Sequence, residues 1–298
     1  MHPLAALGLF LLAVFAGGAL LAPWVYWLAQ WAAAHFGAFQ GLAAMPFHRY
    51  VSRCFLLVAV VGLWPFLRAL GARSLAEVGL PRPAGHWRGL GAGFLLGFGS
   101  LAVAVLLAVA CGARGVNLDY SAADFLAHLG NAALSAGVVA LMEELFFRGA
   151  LFSALRRAHS LATAVLVSSA VYALLHFLAR VESPATVEWT SGLALLPRML
   201  RGFAVVEDLV PAFFTLTFAG VALALARQRT GNLYSAIGLH AGWVFWLKSA
   251  NFLTPARPDA ARWLWGTDKL VDGWLALVVL AVVCVRIARL PGTEKATA

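Results

Sequence analysis

The sequence predicts an all-α, polytopic membrane protein of about eight transmembrane helices, and three observations lead to that prediction. Of its 298 residues, 62% are hydrophobic and only 12% are charged, whereas soluble globular proteins are about 45–50% apolar and about 25% charged. The apolar residues are gathered in runs of about 20 residues, the length that spans a bilayer as a helix. Lys and Arg residues lie at the ends of these runs, where anionic headgroups attract them, which explains the formal net charge of +9.

The apolar runs follow one another along the chain with polar links between them. The first run is too long for the core of a signal peptide and lacks a basic start, so we expect it to remain as a membrane helix. The link at 180–207 mixes charged and apolar residues, and we expect a short interfacial helix in its centre. The predicted spans cover about residues 4–33, 52–70, 88–112, 125–157, 161–179, 208–226, 232–252 and 271–289.

The domain organisation follows from the distribution of polar residues inside these spans. Residues 1–124 hold N-terminal helices and links, residues 125–252 hold the core with the unusual polar side chains, and residues 253–298 hold a link, the last helix and a tail. No internal repeat or low-complexity segment divides the chain, so one membrane domain overall is the simplest interpretation.

Two adjacent carboxylates and an arginine interrupt the fourth apolar run. A charge near the centre of a bilayer costs roughly 2.5–3.5 kcal/mol, so such a group predicts a function. In a helix, Glu144 and Arg148 are four residues apart and share a face, where they can pair. Glu143 is rotated by about 100° and has no basic partner at helical spacing. We therefore expect Glu144 to be structural and Glu143 to be free for chemistry, unless both simply lie at a helix end near the headgroups.

Two histidines interrupt later runs. Tyr172 precedes His176 by one helical turn and shares its face. His240 lies between Gly238 and Gly242, small residues that let neighbouring helices approach closely. Each histidine alone could be a packing or interfacial residue, but polar groups on three helices become less costly if they meet around one watery cavity. One carboxylate and two imidazoles can activate water and polarise a carbonyl.

The same three side chains form a possible metal set. Glu143 would offer an oxygen, and His176 and His240 would offer nitrogens, which suits a divalent cation such as zinc. A glutamate-activated water would serve equally well, so the residues require no cofactor. Three cysteines lie far apart in apolar segments without CxxC or CxxH spacing, and we expect small buried hydrophobes there rather than zinc ligands or disulfides.

The order and spacing of these residues resemble those of a known family. Glu143-Glu144-x-x-x-Arg148 is followed by an aromatic-x-x-x-His motif from Tyr172 to His176, and then by Gly-Asn-Leu-Tyr-Ser-Ala-Ile-Gly-Leu-His240. This pattern resembles the CAAX protease and bacteriocin-processing family of intramembrane proteases, which includes the type II CAAX prenyl endopeptidases. The resemblance covers about residues 125–250.

The resemblance implies hydrolysis of a peptide bond inside the membrane by a CAAX-type endopeptidase. By carry-over, Glu143 would be the general base that activates water, His176 would hold that water, and His240 would stabilise the oxyanion of the tetrahedral intermediate. The substrate would be a membrane-embedded or lipidated protein or peptide, cut near that anchor or in a C-terminal tail. The remaining motif residues would support this geometry; they are Glu144, Arg148 and Tyr172.

The sequence departs from the family pattern at two positions. Tyr172 stands where phenylalanine is most usual, which is a mild change. Val244 stands where the family often has an asparagine that would donate a second hydrogen bond to the oxyanion, and losing one donor typically costs about 10²–10³ in rate. Asn251 lies about 16 Å from His240 along the helix and cannot replace it. Another group therefore serves, or this protein is slow or not proteolytic.

Two other functions use the same polar residues. A non-proteolytic membrane protein of the same fold could act as a binding or scaffold partner, and Val244 keeps that alternative open. A proton-coupled transporter could use Glu143 and the histidines as a relay, but no inverted repeat accompanies them. No motif predicts a nucleic-acid partner. The Ala/Arg-rich composition and the absence of an organelle-targeting segment favour the bacterial cytoplasmic membrane.

Overall fold

The computed structural model describes residues 3–179, 181–204 and 206–291, so the predicted tail at 292–298 lies outside the described residues. Within them the chain is helical and no β-strand occurs, apart from one isolated bridge between Arg114 and Ala256. The all-α fold class is therefore confirmed. The α-helices are α1 (Pro3–Leu12), α2 (Gly18–His35), α3 (Gln40–Ala43), α4 (Phe47–Ala69), α5 (Trp87–Ala110), α6 (Ala122–Glu144), α7 (Ser153–Ala158), α8 (Leu161–Leu175), α9 (Ser191–Met199), α10 (Val206–Thr230), α11 (Tyr234–Leu253), α12 (Arg262–Trp265) and α13 (Trp274–Ala288).

Every predicted span contains a helix, although the spans differ in length. Helices α8 and α13 have 15 residues each, about 22 Å at 1.5 Å per residue, which is shorter than the hydrocarbon core of about 30 Å. Polar residues such as His240 and Lys248 lower the mean hydropathy of α11. Five helices of the described chain are long and apolar enough to cross a membrane: Pro3–His35, Phe47–Ala69, Trp87–Ala110, Ala122–Ala158 and Leu209–Thr230. The protein is therefore a multi-pass membrane protein.

The described chain forms two compact units. One unit contains residues 3–73, 177–179 and 181–204, in which α2 packs against α4 and α9. The helix α9 confirms the expected helix in the link at 180–207. The core of this unit consists of aliphatic and aromatic side chains from those three helices, among them Ala22, Tyr50 and Leu195.

The second unit contains residues 74–176 and 206–291 and carries all the candidate site residues. Helix α11 contacts both α5 and α6, while α10 packs against α8 and α13. Helix α6 begins at Ser121, whose hydroxyl accepts a hydrogen bond from the Asp124 backbone N–H at 3.1 Å, as is typical of an N-cap. At its other end α6 continues through a π-helical turn, Leu145–Phe152, into α7.

Glycines set the close packing of α5 on α11. A Cβ atom at Gly97 would overlap the carbonyl oxygen of Leu239, and one at Gly238 would overlap the carbonyl oxygen of Leu90. The predicted role of small residues around His240 is therefore confirmed. Because these contacts join backbone to backbone, they fix the position of α11, and with it His240, without depending on side-chain rotamers.

Candidate active site

A buried ion pair forms the base of the site. The Nη1 atom of Arg148 lies 3.0 Å from Oε1 of Glu144, and the two side chains are 1% and 0% exposed. Arg148 belongs to the π-helical turn that follows α6, and its Nη2 atom donates to the carbonyl oxygen of Gly220 on α10 at 3.1 Å. The pair predicted from the four-residue spacing is thus present, and it also joins the end of α6 to α10.

The same carboxylate orients His240. Oε1 of Glu144 lies 2.9 Å from Nδ1 of His240. Because the Glu144 carboxylate is already held by Arg148, it accepts this hydrogen bond, so Nδ1 of His240 carries the proton. The other ring nitrogen, Nε2, then lies 3.8 Å from Oε2 of Glu143. A carboxylate behind a histidine fixes its tautomer and ring orientation in this way in many catalytic sites.

His176 approaches Glu143 from α8. Its Nδ1 atom lies 2.8 Å from the backbone carbonyl oxygen of Tyr172, and a carbonyl can only accept, so Nδ1 is the donor. Its Nε2 atom lies 3.9 Å from Oε2 of Glu143. Both histidines therefore direct Nε2 toward the same carboxylate oxygen.

Two of the three converging side chains are partly exposed. The side chains of Glu143 and His176 are 31% and 32% exposed, whereas that of His240 is 5% exposed. Oε2 of Glu143 is itself inaccessible and has no hydrogen-bond partner among the described residues. The structure therefore brings together the three residues predicted to act on the substrate, and it leaves a buried carboxylate oxygen without a hydrogen-bond partner close to both imidazoles.

Tyr172 lines the site as an aromatic wall. Its ring centroid lies 4.4 Å from that of His176 and 6.1 Å from that of His240. The guanidinium carbon of Arg148 lies 4.6 Å from the ring centroid, close enough for a cation–π interaction, and Phe147 packs edge-on at 5.0 Å. Tyr172 thus contacts both imidazoles and the structural arginine.

The three converging side chains have the donor types of a zinc site but not its spacing. Tetrahedral zinc with bonds of about 2.0–2.1 Å holds its ligands roughly 3.3 Å apart, whereas the nitrogen–oxygen separations here are 3.8 and 3.9 Å. Within the described residues no group of three His, Cys, Asp or Glu side chains is arranged to hold a metal ion. Metal binding by Glu143, His176 and His240 would require these side chains to close on the ion, and it stays a prediction.

Comparison with known proteins identifies the domain that carries this geometry. Residues 125–246 match the family model described as Type II CAAX prenyl endopeptidase Rce1-like. These residues are an Rce1-like domain. The match includes every residue of the site and supports a CAAX-type intramembrane peptidase that acts on membrane-associated substrates. Neither the curated proteins nor the solved structures that were searched gave a match.

Both departures of the sequence from the family pattern, Tyr172 and Val244, lie in the Rce1-like domain. Val244 is half-buried one turn after His240 and offers no hydrogen-bond donor from its side chain. Asn251 is engaged elsewhere, since its Oδ1 atom accepts from Nη2 of Arg114 at 2.7 Å. Asn251 thus does not stand in for the asparagine that the family often has.

Sequence reasoning missed two features of the second unit. It assigned Glu144 only to Arg148, because the bond to His240 joins residues 96 positions apart and leaves no signal in local spacing. It also gave no role to Lys248, whose Nζ atom lies 3.1 Å from Oγ of Ser135 on α6. A charged residue inside an apolar run was the available signal for that second feature.

Proposed function

We propose that this protein is an intramembrane endopeptidase that hydrolyses a peptide bond of a membrane-associated or C-terminal-tail substrate with a water activated by Glu143. The observation that carries the proposal is the convergence of Oε2 of Glu143 with Nε2 of His176 and of His240, at 3.9 and 3.8 Å. An Rce1-like domain around that convergence supports the same chemistry.

The first step is the positioning of water. Separations of 3.8 and 3.9 Å exceed direct hydrogen-bond distance, but one water placed between the atoms can bond to each of them. That water would donate one proton toward Glu143 and another toward Nε2 of His176, since both are acceptors. Its oxygen lone pair would then face the substrate carbonyl. His176 would thus be the residue that orients the nucleophile.

The second step is attack on the carbonyl carbon. Glu143 takes a proton from the water as the new C–O bond forms, and the carbonyl oxygen becomes an oxyanion. His240, protonated on both ring nitrogens before the attack, would stabilise that oxyanion by donating a hydrogen bond from Nε2. Glu144 favours this charged form because its carboxylate already holds the Nδ1 proton, as the acid of a Ser-His-Asp triad does.

The third step is the collapse of the tetrahedral intermediate. Glu143 returns its proton to the leaving amine as the C–N bond breaks, so one carboxylate serves first as base and then as acid. The products are an amine and a carboxylic acid, which releases its proton to water, and Glu143 is ionised again. The exposed side of Glu143 and His176 suits the entry of both water and the peptide.

A divalent cation would use the same residues in a different way. Glu143, His176 and His240 would hold it, and its contribution would be that of a Lewis acid that lowers the pKa of bound water. The proposed chemistry needs only the ionised Glu143, and treatment with a chelator separates the two possibilities. Loss of cleavage after chelation, restored by zinc, would replace the glutamate-water mechanism with a metal-assisted one.

The test is cleavage of a library of single-span and lipid-anchored peptides by the purified protein in liposomes, with products located by mass spectrometry. Glu143→Gln keeps the shape of the side chain and removes the base, so we expect its rate to fall by at least about 10²-fold. Glu188→Gln makes the same change at an exposed position and serves as the matched control, with a rate equal to wild type.

Two outcomes would overturn the proposal. Equal cleavage by Glu143→Gln and wild type would remove Glu143 from the mechanism. Absence of cleavage by folded wild-type protein across the library would favour the alternative, a non-proteolytic membrane protein of the same fold that binds a partner, because Val244 already lacks the second oxyanion donor. The bacterial cytoplasmic membrane is the proposed location in either case.

A further inference from the structure

Arg227 is a half-buried arginine in the last turn of α10. Its Nε atom is inaccessible and has no hydrogen-bond partner among the described residues. None of the ion pairs in the described chain includes this guanidinium. A guanidinium carries five N–H donors, and a charge that is partly removed from water is costly unless it is paired. Arg227 therefore retains donors and a charge that an anion from outside the protein can satisfy.

The guanidinium of Arg227 lies flat against the backbone of Gly79. A Cβ atom on this glycine would lie 2.6 Å from Nε, 2.7 Å from Cζ and 2.8 Å from Nη2 of the arginine. Because the three distances are nearly equal, the face of the guanidinium covers Gly79, and its N–H bonds point sideways from this contact. Gly79 has a φ of +92°, which glycine adopts without strain. The absence of a side chain there makes room for the arginine.

The Arg227 side chain is not needed to cap α10. Arginine near a helix C-terminus often bonds the last carbonyl groups. Here the hydroxyl of Thr230 donates to the carbonyl oxygen of Ala226 at 2.8 Å, and the backbone N–H of Gly231 donates to the carbonyl oxygen of Arg227 at 3.1 Å. The side-chain amide of Asn232 donates to the carbonyl oxygen of Thr230 at 2.9 Å. These carbonyl groups are satisfied by other donors.

Arg227 lies at the level of lipid headgroups. The apolar part of α10, Leu209–Thr230, has 22 residues. Its length is about 33 Å at 1.5 Å per residue, which matches a hydrocarbon core of about 30 Å. The last turn of the helix therefore reaches one membrane interface, where phosphate groups of anionic lipids attract cations.

The chain around Arg227 offers few carboxylates. The link that contains Gly79 and the connection from α10 to α11 cover residues 74–88 and 226–234. Glu77 is the single acidic residue in these two segments. An anionic headgroup is therefore attracted to this end of the second unit rather than repelled from it. The arginines of the two segments are Arg82, Arg88, Arg227 and Arg229.

We propose that Arg227, held over Gly79, binds the phosphate of an anionic lipid such as phosphatidylglycerol through its two Nη atoms. The edge of a planar guanidinium matches two phosphate oxygens, which gives a bidentate pair. A general attraction of surface arginines to headgroups needs neither a half-buried guanidinium nor a glycine beneath it. The lipid site uses none of the candidate active-site residues, and it is independent of the proposed function.

A bound phosphate would also stabilise the end of α10 and the link beside it. This link is attached to the start of α11 by two hydrogen bonds. The backbone N–H of Leu233 donates to the carbonyl oxygen of Gly79 at 2.7 Å, and the hydroxyl of Tyr234 donates to the carbonyl oxygen of Pro81 at 2.7 Å. We therefore expect phosphatidylglycerol to raise the unfolding temperature of wild type, because a ligand that binds the folded state stabilises it.

The experiment measures the affinity of the whole chain in detergent for dioleoyl phosphatidylglycerol by native mass spectrometry. Arg227→Met should weaken the tightest binding event by about 10- to 100-fold, the range for hydrogen bonds to a charged group. Arg227→Lys keeps the charge without the planar fork and should lose part of the affinity. Arg82→Met removes an equal charge from an exposed position of the same link and should weaken binding by less than about fivefold.

Two glycine variants test the same site without a change in charge. Gly79→Ala places a methyl group against the guanidinium of Arg227 and displaces it, so its affinity should fall about as far as that of Arg227→Met. Gly85→Ala has the same left-handed backbone, with a φ of +85°, but its methyl group meets nothing within 4 Å. This matched control should bind phosphatidylglycerol like wild type, and both variants carry the same backbone strain.

Two other ligands identify the source of the phosphate. Phosphatidylcholine has the same phosphodiester beside a cationic group, and it should bind more weakly than phosphatidylglycerol. Inorganic phosphate has no acyl chains and should not displace the lipid. If inorganic phosphate displaces it, the site binds a soluble anion and the lipid proposal is wrong.

Three further results would overturn the inference. The first is wild-type affinity for phosphatidylglycerol in both Arg227→Met and Gly79→Ala. The second is an equal loss in Arg227→Met and Arg82→Met, which would indicate diffuse surface charge. The third is an equal loss in Gly79→Ala and Gly85→Ala, which would indicate backbone strain in the link. If Arg227→Met does not fold, the glycine pair still decides the outcome.

Discussion

The two faces of α11 differ in the kind of contact that they make with neighbouring helices. Toward α5 the contacts are mainly backbone against backbone at glycines, with the Trp243–Ser100 hydrogen bond beside them. Toward α6 the contacts are polar side chains, from the His240–Glu144 bond to the Lys248–Ser135 bond. The same helix is thus fixed in place by one face and carries the chemistry on the other.

The difference shows where the protein gives up stability for function. On the face toward α6, and in the ion pair beside it, Oε2 of Glu143, Oε2 of Glu144 and Nε of Arg148 are buried without a hydrogen-bond partner among the described residues. Such atoms cost free energy in a folded protein. The glycine contacts carry no such cost, because small residues in a membrane allow close van der Waals packing.

The largest expected effect on stability is that of Glu144→Gln. It removes the charge that pairs with buried Arg148, and breaking a buried pair from one side costs about 3–5 kcal/mol of unfolding free energy. Thermal unfolding in detergent measures the loss, with the exposed Glu188→Gln as the control. A change below about 1 kcal/mol would mean that the ion pair does not hold the polar face together.

The next largest effect on stability is expected where glycines bring α5 against α11. Two glycine-to-alanine variants of α5 are compared there. Gly97→Ala forces a methyl group against the backbone of Leu239, and overpacking of this kind costs about 1–3 kcal/mol. Gly99→Ala, two residues away, meets nothing within 4 Å and should stabilise α5 slightly, by about 0.5–1 kcal/mol. Equal unfolding temperatures for the two variants would contradict the packing described for this face.

Val244→Asn should improve catalysis rather than stability. An amide one turn after His240 would add a second donor for the oxyanion, and we expect the cleavage rate to rise about tenfold, or 1.4 kcal/mol. Val244→Leu, which adds no donor, is the control and should not accelerate cleavage. If the asparagine variant is no faster than wild type, another group already supplies that hydrogen bond.

The smallest effect is expected for Tyr172→Phe. The phenol oxygen has no hydrogen-bond partner among the described residues, and the ring that contacts Arg148 and His176 is kept. The change in unfolding free energy should stay within about 0.5 kcal/mol. Tyr172→Leu removes the aromatic wall and should cost more, because it also removes the cation–π interaction, worth about 2 kcal/mol when desolvated. Identical stability of the two variants would show that the contacts of the Tyr172 ring do not stabilise the protein.

Local patterns in the sequence predicted the structural features that depend on residues close together along the chain. Apolar runs predicted the helices, and the four-residue spacing predicted the Glu144–Arg148 pair. The resemblance to a known family placed Glu143, His176 and His240 in one site. The predictions of the helices and of the ion pair succeed because helical periodicity and bilayer length constrain each segment separately.

The remaining features depend on which helices meet and at what level. The bond from Glu144 to His240 and the contact of Lys248 with Ser135 each join residues about a hundred positions apart, so no local spacing encodes them. The π-helical turn after Glu144 also escaped prediction, because its residues are ordinary helix formers. Turns of this kind occur often at functional sites, where tertiary contacts such as Arg148 to Gly220 decide the local geometry.

The most direct test of the account measures stability and cleavage together for Glu143→Gln and Gly97→Ala. Glu143→Gln replaces a carboxylate whose Oε2 atom is buried without a hydrogen-bond partner among the described residues, so it should unfold at the same or a higher temperature than wild type while its cleavage falls by at least about 10²-fold. Gly97→Ala should unfold at a lower temperature and keep its cleavage rate per folded molecule. If Glu143→Gln is destabilised or cleaves like wild type, the chemistry does not reside on the polar face between α6 and α11.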